Sequence, residues 1–279
     1  MKPSTAGMRP RSAIRRQAAP AAALLALAGL VYAGAGIASR LAAETRRFRR
    51  SADILYTRWT SIPAIAGTGK LRIHARVRDV MTNRDAIVLV HGGGTASSYL
   101  VPLAARLSHH APVFAPDLPG HGRSDPDARP LDVPELARAL GEWMEAMGLR
   151  RAVMVGHSLG CEVALHLAAA HPRYVSSLVL IGPTAAPSAR SGRAGTRSTV
   201  EDRPEDVARS VKCPIAIVRG TRDRIGSQRR AERLASAAGA AEPIVVRGWG
   251  HAVPYDDPGA IAALILGLGN RPGHERSTG

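Results

Sequence analysis

The sequence contains few aromatic residues and only two cysteines. Phe, Trp and Tyr together make up 4% of the 279 residues, so Leu, Val, Ile and Ala must fill the core. Cys161 and Cys213 form no C-x-x-C pair, and no group of residues has the spacing of a metal site. We therefore predict two buried thiols, no disulfide, no metal and no organic cofactor.

Acidic residues are almost missing from the first 50 residues. This stretch has ten basic residues and one acidic residue, Glu44, and so carries +9 of the net charge of +16. Positive charge beside an apolar segment suits anionic lipid headgroups. Nucleic acid would also attract it, but no basic helix and no aromatic-interleaved sheet face is visible. We predict a membrane surface as a partner and exclude nucleic acid.

Residues 18–38 form an apolar run of 21 residues that no charge interrupts. As a helix, the run is long enough to span the roughly 30 Å hydrocarbon core of a bilayer. It predicts a retained single-pass membrane anchor, within a basic N-terminal segment that covers residues 1–51. The alternative is a cleaved export signal, since an A-x-A-like site lies near its end, and the protein would then be secreted. Arginines flank both sides, so the orientation in the membrane stays open.

From about residue 70, short apolar runs alternate with stretches of helical spacing. The predicted strands are 71–79, 86–92, 112–117, 152–156, 175–182, 214–220 and 243–248. The predicted helices are 134–148, 159–172, 227–239 and 258–269. This alternation predicts an α/β fold, in which a mostly parallel sheet is covered by helices on both faces. We place this domain at 52–270, followed by a disordered tail at 271–279.

A serine lies between two glycines where a predicted strand becomes a helix. The stretch "VMVGHSLGCEVA" (153–164) contains Gly156, Ser158 and Gly160 in a G-x-S-x-G pattern. A serine hydroxyl is a weak nucleophile that needs a base, a group that orients the base, and donors for the oxyanion. The sharp strand-to-helix turn exposes the hydroxyl, and glycines avoid a collision with neighbouring backbone. Ser158 is therefore a candidate nucleophile.

The other parts of such a site follow in the expected order. Asp223 and His251 each come just after a predicted strand, and the chain order Ser, Asp, His is that of an α/β-type triad. The N–H of Leu159 lies at a helix N-terminus, where the dipole favours negative charge. "HGGG" (91–94) follows another strand, so the N–H of Gly93 is a candidate for the second oxyanion donor.

Together these motifs resemble the α/β-hydrolase superfamily over about residues 70–270. The resemblance rests on "HGGG", "PDLPGHGRSD" (116–125), "GHSLG", the Asp of "RGTRD" and the His of "GWGH". It implies Ser158 as nucleophile, His251 as general base and acid, and Asp223 as the carboxylate that orients His251. In "PDLPGHGRSD", the Asp and Gly residues are mainly architectural in the family.

The resemblance also predicts a reduced cap domain. Most relatives insert a helical cap between the strands that end near Gly182 and start near Pro214. Here residues 185–211 leave only 27 residues, and part of that stretch is rich in Ala, Ser, Gly and Arg. We predict a short flexible loop in place of the cap, and an open site.

The predicted function is therefore hydrolysis of a small-molecule carboxylic ester through an acyl-enzyme. A lipid-derived ester would suit a membrane anchor. Relatives that are haloalkane dehalogenases or epoxide hydrolases use an aspartate where Ser158 lies. The serine therefore excludes these two activities. Thioesterase, lactonase, acyltransferase, C–C hydrolase and cofactor-free peroxidase activities share the triad and stay open. So does a non-catalytic, membrane-tethered binding module with the same fold.

Overall fold

The computed structural model describes residues 54–184, 196–197 and 203–269. The predicted apolar helix at 18–38, the segment 1–51 that contains it and the tail at 271–279 lie outside these residues. Most of the loop predicted at 185–211 also lies outside them. In the part of the chain that is described, no helix is long and apolar enough to cross a membrane.

The strands of the described residues are β1 (Tyr56–Pro63), β2 (Lys70–Arg78), β3 (Ala86–Val90), β4 (Val113–Pro116), β5 (Leu131–Asp132), β6 (Ala152–His157), β7 (Val175–Ile181), β8 (Thr196–Arg197), β9 (Ile215–Gly220) and β10 (Ile244–Val246). Eight of them form one sheet in the order β1-β2-β4-β3-β6-β7-β9-β10, and β5 pairs with β8 in a separate two-stranded sheet. Strands β1 and β2 run antiparallel to their neighbours, and the other six strands pair in parallel. The mostly parallel sheet that the sequence predicted is therefore confirmed.

Helices connect the strands of the sheet. They are α1 (Val101–Leu107), α2 (Val133–Ala146), α3 (Leu159–Ala170), α4 (Pro204–Ser210), α5 (Gln228–Ala237), α6 (Val253–Asp256) and α7 (Pro258–Gly269). Helix α2 begins with a capping box, in which Asp132 accepts a hydrogen bond from the Glu135 N–H and Glu135 accepts one from the Asp132 N–H. This cap fixes where the predicted amphipathic helix starts.

The sheet is buried on both faces. Val88 and Val90 of β3 belong to the larger core, which also contains Trp143 of α2. Ile87 and Leu89 are buried as well, but alternation along a strand points them to the opposite face. Helices α1 and α7, which pack against each other, cover that face. Because both faces of the sheet are covered, the sequence of β3 is a continuous apolar run, which is typical of central parallel strands.

Several elements were not indicated by the sequence pattern, and for three of them the physical reason is clear. Strand β1 was not predicted, because its edge position leaves most side chains exposed and removes the alternation of apolar residues. Helix α1 was not predicted, because six of its seven residues are buried and no polar face marks a helical period. Helix α4 lies in the segment where the sequence indicated a loop, and Pro204 and the acidic residues of its first turn favour a helix start.

Candidate active site

The backbone turns sharply at Ser158, between β6 and α3. Ser158 has φ 55° and ψ −119°, and it is the one residue other than glycine with positive φ in the described ranges. A residue with a side chain adopts this conformation at a cost of about 1–3 kcal/mol, and such strain is concentrated at functional sites. The strand–turn–helix context that the sequence predicted for "GHSLG" is present.

The two glycines of the motif allow close backbone approach at the turn. A Cβ at Gly160 would lie 2.8 Å from the carbonyl oxygen of His91, and one at Gly156 would lie 2.8 Å from Cα of Cys161. Real Cβ atoms do not occupy such positions, and backbone atoms cannot rotate aside. Glycine at both positions is therefore required by packing against β3 and against the first turn of α3.

The "HGGG" loop lies against the turn. A Cβ added to Gly92 would lie 3.1 Å from Cβ of Ser158, and one added to Gly93 would lie 3.5 Å from Cδ2 of Leu159. Leu159 is the first residue of α3, so its N–H has no acceptor within the helix. The structure thus brings Gly93, Leu159 and Ser158 together at one end of the sheet.

Asp223 and His251 are joined by a hydrogen bond. His251 Nδ1 lies 2.9 Å from Asp223 Oδ2, although 28 residues separate them in the chain. The other carboxylate oxygen of Asp223 accepts hydrogen bonds from the N–H groups of Ile225 and Gly226 at 2.9 and 2.8 Å. Asp223 is 4% exposed, and its carboxylate is held in one orientation by these bonds.

The hydrogen bonds keep Asp223 ionised despite its burial. Burial alone would raise the pKa of this carboxyl, but the bonds from His251, Gly226 and Ile225 together lower the pKa below its usual value. A buried negative charge beside an imidazole stabilises the imidazolium form. The pair therefore has the electrostatics of a base and its orienting carboxylate.

Ser158 is close to this pair but is not bonded to it. Within the described residues, the side-chain contact of Ser158 Oγ is with Thr184 Oγ1 at 3.5 Å, and His251 bonds to Asp223 rather than to the serine. His251 is nevertheless adjacent to the turn, because its ring centroid lies 4.8 Å from that of His157, the residue before Ser158. Catalytic hydrogen bonds are often long or absent without substrate.

The loop "PDLPGHGRSD" is hydrogen-bonded to the segments that surround it, including the "HGGG" loop. Asp117 is buried, and its carboxylate accepts hydrogen bonds from the N–H groups of Ser97 at 2.6 Å and Arg123 at 3.0 Å, and contacts His74 Nδ1 at 2.8 Å. His91 Nε2 accepts from the N–H of Leu118 at 3.0 Å. These bonds are internal to the scaffold, which agrees with the architectural role predicted for Asp117.

Both cysteines are free thiols in partly or fully buried positions. Burial raises the pKa of Cys161 far above its usual value, and it raises the pKa of Cys213 to about 11. Neither thiol therefore has the character of a nucleophile. In the part of the chain that the structure describes, no group of three or more His, Cys, Asp and Glu side chains could hold a metal ion.

Two residues at the site were not singled out as site residues from the sequence. Gly182 follows β7 with φ 56°, and a Cβ there would lie 2.9 Å from Asp223 Oδ2 and 3.2 Å from His251 Nδ1. His157, the residue before Ser158, contacts the backbone of His251. A glycine as the last residue of a predicted strand (175–182) was a usable signal for Gly182. No local pattern signals a contact between residues 94 positions apart.

Comparison with known proteins agrees with the α/β fold described above. A family model described as "alpha/beta hydrolase fold" matches residues 85–194. The chain is 48% identical over 84 residues to lipase LipV of Mycobacterium tuberculosis, a match that covers 29% of this chain and 32% of that protein. It is 40% identical over 106 residues to a pimeloyl-[acyl-carrier protein] methyl ester esterase of Xanthomonas campestris, covering 38% of this chain and 40% of that protein.

The aligned segments thus span well under half the length of these two relatives. A solved structure extends the similarity over most of the chain. The carboxylesterase CesB from Bacillus subtilis superposes with a TM-score of 0.61 at 18% identity, covering 80% of this chain and 95% of that one. At this identity the superposition establishes the fold.

Proposed function

We propose that this chain is an α/β hydrolase that cleaves carboxylic esters through an acyl-enzyme formed on Ser158. The observation that carries the proposal is the bonded pair of Asp223 and His251 beside a serine in a strained strand-to-helix turn. All three residues follow the carboxyl ends of parallel strands, where this kind of sheet places its ligands. The relatives named as a lipase and a methyl ester esterase support an ester as the substrate.

The proposed reaction begins with proton transfer from Ser158 to His251. Asp223 accepts the Nδ1–H of His251, so Nε2 carries the free lone pair and takes the proton of the serine hydroxyl. Oγ attacks the ester carbonyl carbon, and the N–H groups of Leu159 and Gly93 donate to the oxyanion. The serine hydroxyl turns away from Thr184 to make this transfer.

The second half of the reaction releases the acid. His251 returns its proton to the leaving alcohol, which departs as the carbonyl re-forms on the acyl-enzyme. Water then gives a proton to His251 and attacks the acyl carbon, and Ser158 recovers its proton as the carboxylic acid leaves. The ionised Asp223 stabilises the imidazolium in both halves.

We propose further that the substrate site is open. The 27 residues between 185 and 211 are too few for a cap built from several helices, and caps in this fold supply much of the surface that encloses an acyl chain. The enzyme would then accept small esters of varied structure. Enclosure of a long acyl chain would need surface that this segment cannot provide.

A series of p-nitrophenyl esters tests this proposal. Wild-type protein is expected to hydrolyse the acetate and butyrate faster than the palmitate, measured as kcat/KM at one pH. With little enclosing surface, each added methylene contributes less than the ~0.8 kcal/mol available on full burial. A kcat/KM that rises steadily from acetate to palmitate would show a deep acyl pocket and contradict the open site. The rate measured with Ser158→Ala is subtracted to correct for hydrolysis that does not depend on the proposed nucleophile.

We also propose that residues 18–38 anchor the protein in a membrane. The support is the length of the apolar run and the arginines on both sides of it. Full-length protein is expected to stay with the membrane fraction through an alkaline carbonate wash. Recovery of the intact chain in the wash supernatant would exclude a retained anchor, and a mature chain that lacks these residues would indicate a cleaved signal.

A further inference from the structure

The side chain of His157 bonds to the backbone of the proposed catalytic base. Its Nε2 lies 2.7 Å from the carbonyl oxygen of His251. A carbonyl oxygen can only accept, so Nε2 must carry the proton and donate it. The tautomer of His157 is therefore fixed by the position of His251. One residue of the nucleophile turn thus reaches directly to the loop that carries the base.

In the loop before His251, one side chain, that of Trp249, is tied by its Nε1, which donates to Asp257 at 3.3 Å, and the two glycines beside it carry no side chain. Gly248 and Gly250 flank Trp249, and a Cβ added to either glycine would meet nothing within 4 Å. Backbone bonds tie the loop as far as Trp249, whose carbonyl accepts from the N–H of Arg222 at 2.9 Å. The next carbonyl along the loop that accepts a hydrogen bond within the described residues is that of His251. Its donor is the side chain of His157.

Aromatic contacts hold the His157 ring in place. The ring centroid of Tyr99 lies 5.4 Å away on a tilted plane, and Tyr99 stacks in turn on Tyr255 at 6.0 Å. His157 is 5% exposed, so its ring has no room to swing out into solvent. The donor is therefore rigid, as a positioning group requires.

His157 also stays uncharged while the reaction runs. Burial lowers the pKa of His157 to about 4, with a further contribution from the positive charge of His251 when that ring is protonated. At neutral pH the imidazole therefore keeps one N–H and one lone pair. A neutral neighbour does not oppose the positive charge that His251 acquires in the proposed mechanism.

We propose that His157 is a positioning residue that fixes the backbone of His251 through its Nε2–H, while Asp223 fixes the ring. This inference rests on the proposed function, because it assigns a role relative to the base of that reaction. Two anchors are needed, since a ring held at Nδ1 alone can still pivot about that bond. A displacement of about 1 Å at the reacting atoms is enough to lower a rate by about 10²-fold.

Two substitutions of His157 separate the hydrogen bond from the volume of the side chain. His157→Leu fills the space without a donor, and His157→Gln keeps an N–H near the position of Nε2. His121→Leu is the matched control, since His121 is also buried and its Nδ1 contacts a backbone carbonyl, that of Pro119, at 3.0 Å. All variants are made in the full chain, and competent sites are counted by end-point titration with a fluorophosphonate.

The rate per titrated site gives the answer. His157→Leu is expected to lower kcat for p-nitrophenyl butyrate by about 10- to 100-fold, with KM changed by less than about threefold. His157→Gln is expected to regain most of that loss. A purely structural role would reduce the number of titrated sites and leave kcat per site unchanged, which is the expected behaviour of His121→Leu.

Either of two results would overturn the inference: a wild-type kcat per site in His157→Leu, or an equal loss in the leucine and glutamine variants. If His157→Leu yields no folded protein, His157→Asn replaces it, because asparagine carries the same amide but is too short to reach the carbonyl. Equal rates for Asn and Gln would then overturn it. Ser158→Ala is assayed alongside: wild-type activity there would refute the proposed function itself, whereas its loss with normal His157 variants would refute only the positioning role.

Discussion

Ser158→Ala is expected to lower kcat for ester hydrolysis by roughly 10⁴-fold or more, because it removes the proposed nucleophile that forms the acyl-enzyme. Removal of one nucleophile typically costs about as much as removal of a whole triad. The measurement is kcat for p-nitrophenyl butyrate with protein whose folding is checked by circular dichroism. Alanine has the same backbone restriction as serine at φ 55°, so the turn itself is retained.

A second serine supplies the control for this loss. Ser176 in β7 is buried, and within the described part of the chain its hydroxyl has no hydrogen-bond partner. Ser176→Ala therefore removes a buried hydroxyl without touching the site, and its kcat is expected to equal that of the wild type. A Ser158→Ala protein as active as Ser176→Ala would refute the assignment of the nucleophile.

Asp223→Asn is expected to lower kcat by about 10⁴-fold, because the substitution favours the tautomer of His251 that cannot act as the base. The N–H groups of Ile225 and Gly226 both point at one carboxylate oxygen, so the asparagine oxygen takes that side. Its NH₂ group then faces Nδ1 of His251 and donates to it. The proton of the imidazole moves to Nε2, which can no longer accept a proton from Ser158.

The control for Asp223→Asn is another carboxylate held by backbone amides. Asp127 accepts hydrogen bonds from the N–H groups of Ile65, Ala66 and Ala128 and does not bond to His251. Asp127→Asn removes the same charge and is expected to retain kcat within about threefold, since surface and loop changes act mainly on stability. Comparable losses in both variants would assign the effect of Asp223→Asn to folding rather than to the tautomer.

The sequence was sufficient to place most of the sheet and the elbow at Ser158. A buried parallel strand leaves a continuous apolar run, and a G-x-S-x-G between such a run and a helical pattern has few other structural interpretations. The order of Ser158, Asp223 and His251 could be read because each residue follows a strand end. In the structure, the bond between Asp223 and His251 fits that order.

The elements that could not be read from the sequence lack a periodic signal. Strand β1 has exposed side chains on both faces, so its residues do not alternate, and α1 is buried almost all round, so it has no polar stripe. The contacts of Gly182 and His157 depend on how distant loops meet above the sheet. The local sequence pattern does not indicate which distant loops come into contact, so these two contacts could be identified only from the structure.

Covalent labelling of Ser158 tests the central claim most directly. Full-length protein is treated with a fluorophosphonate probe, digested with trypsin and analysed by mass spectrometry. The account predicts an adduct on Ser158 in the peptide 152–173, which trypsin releases by cleavage after Arg151 and Arg173. Labelling is expected to be absent in Ser158→Ala and unaffected in Ser176→Ala. A folded wild-type protein that takes up no probe, or takes it up at another residue, would contradict the account.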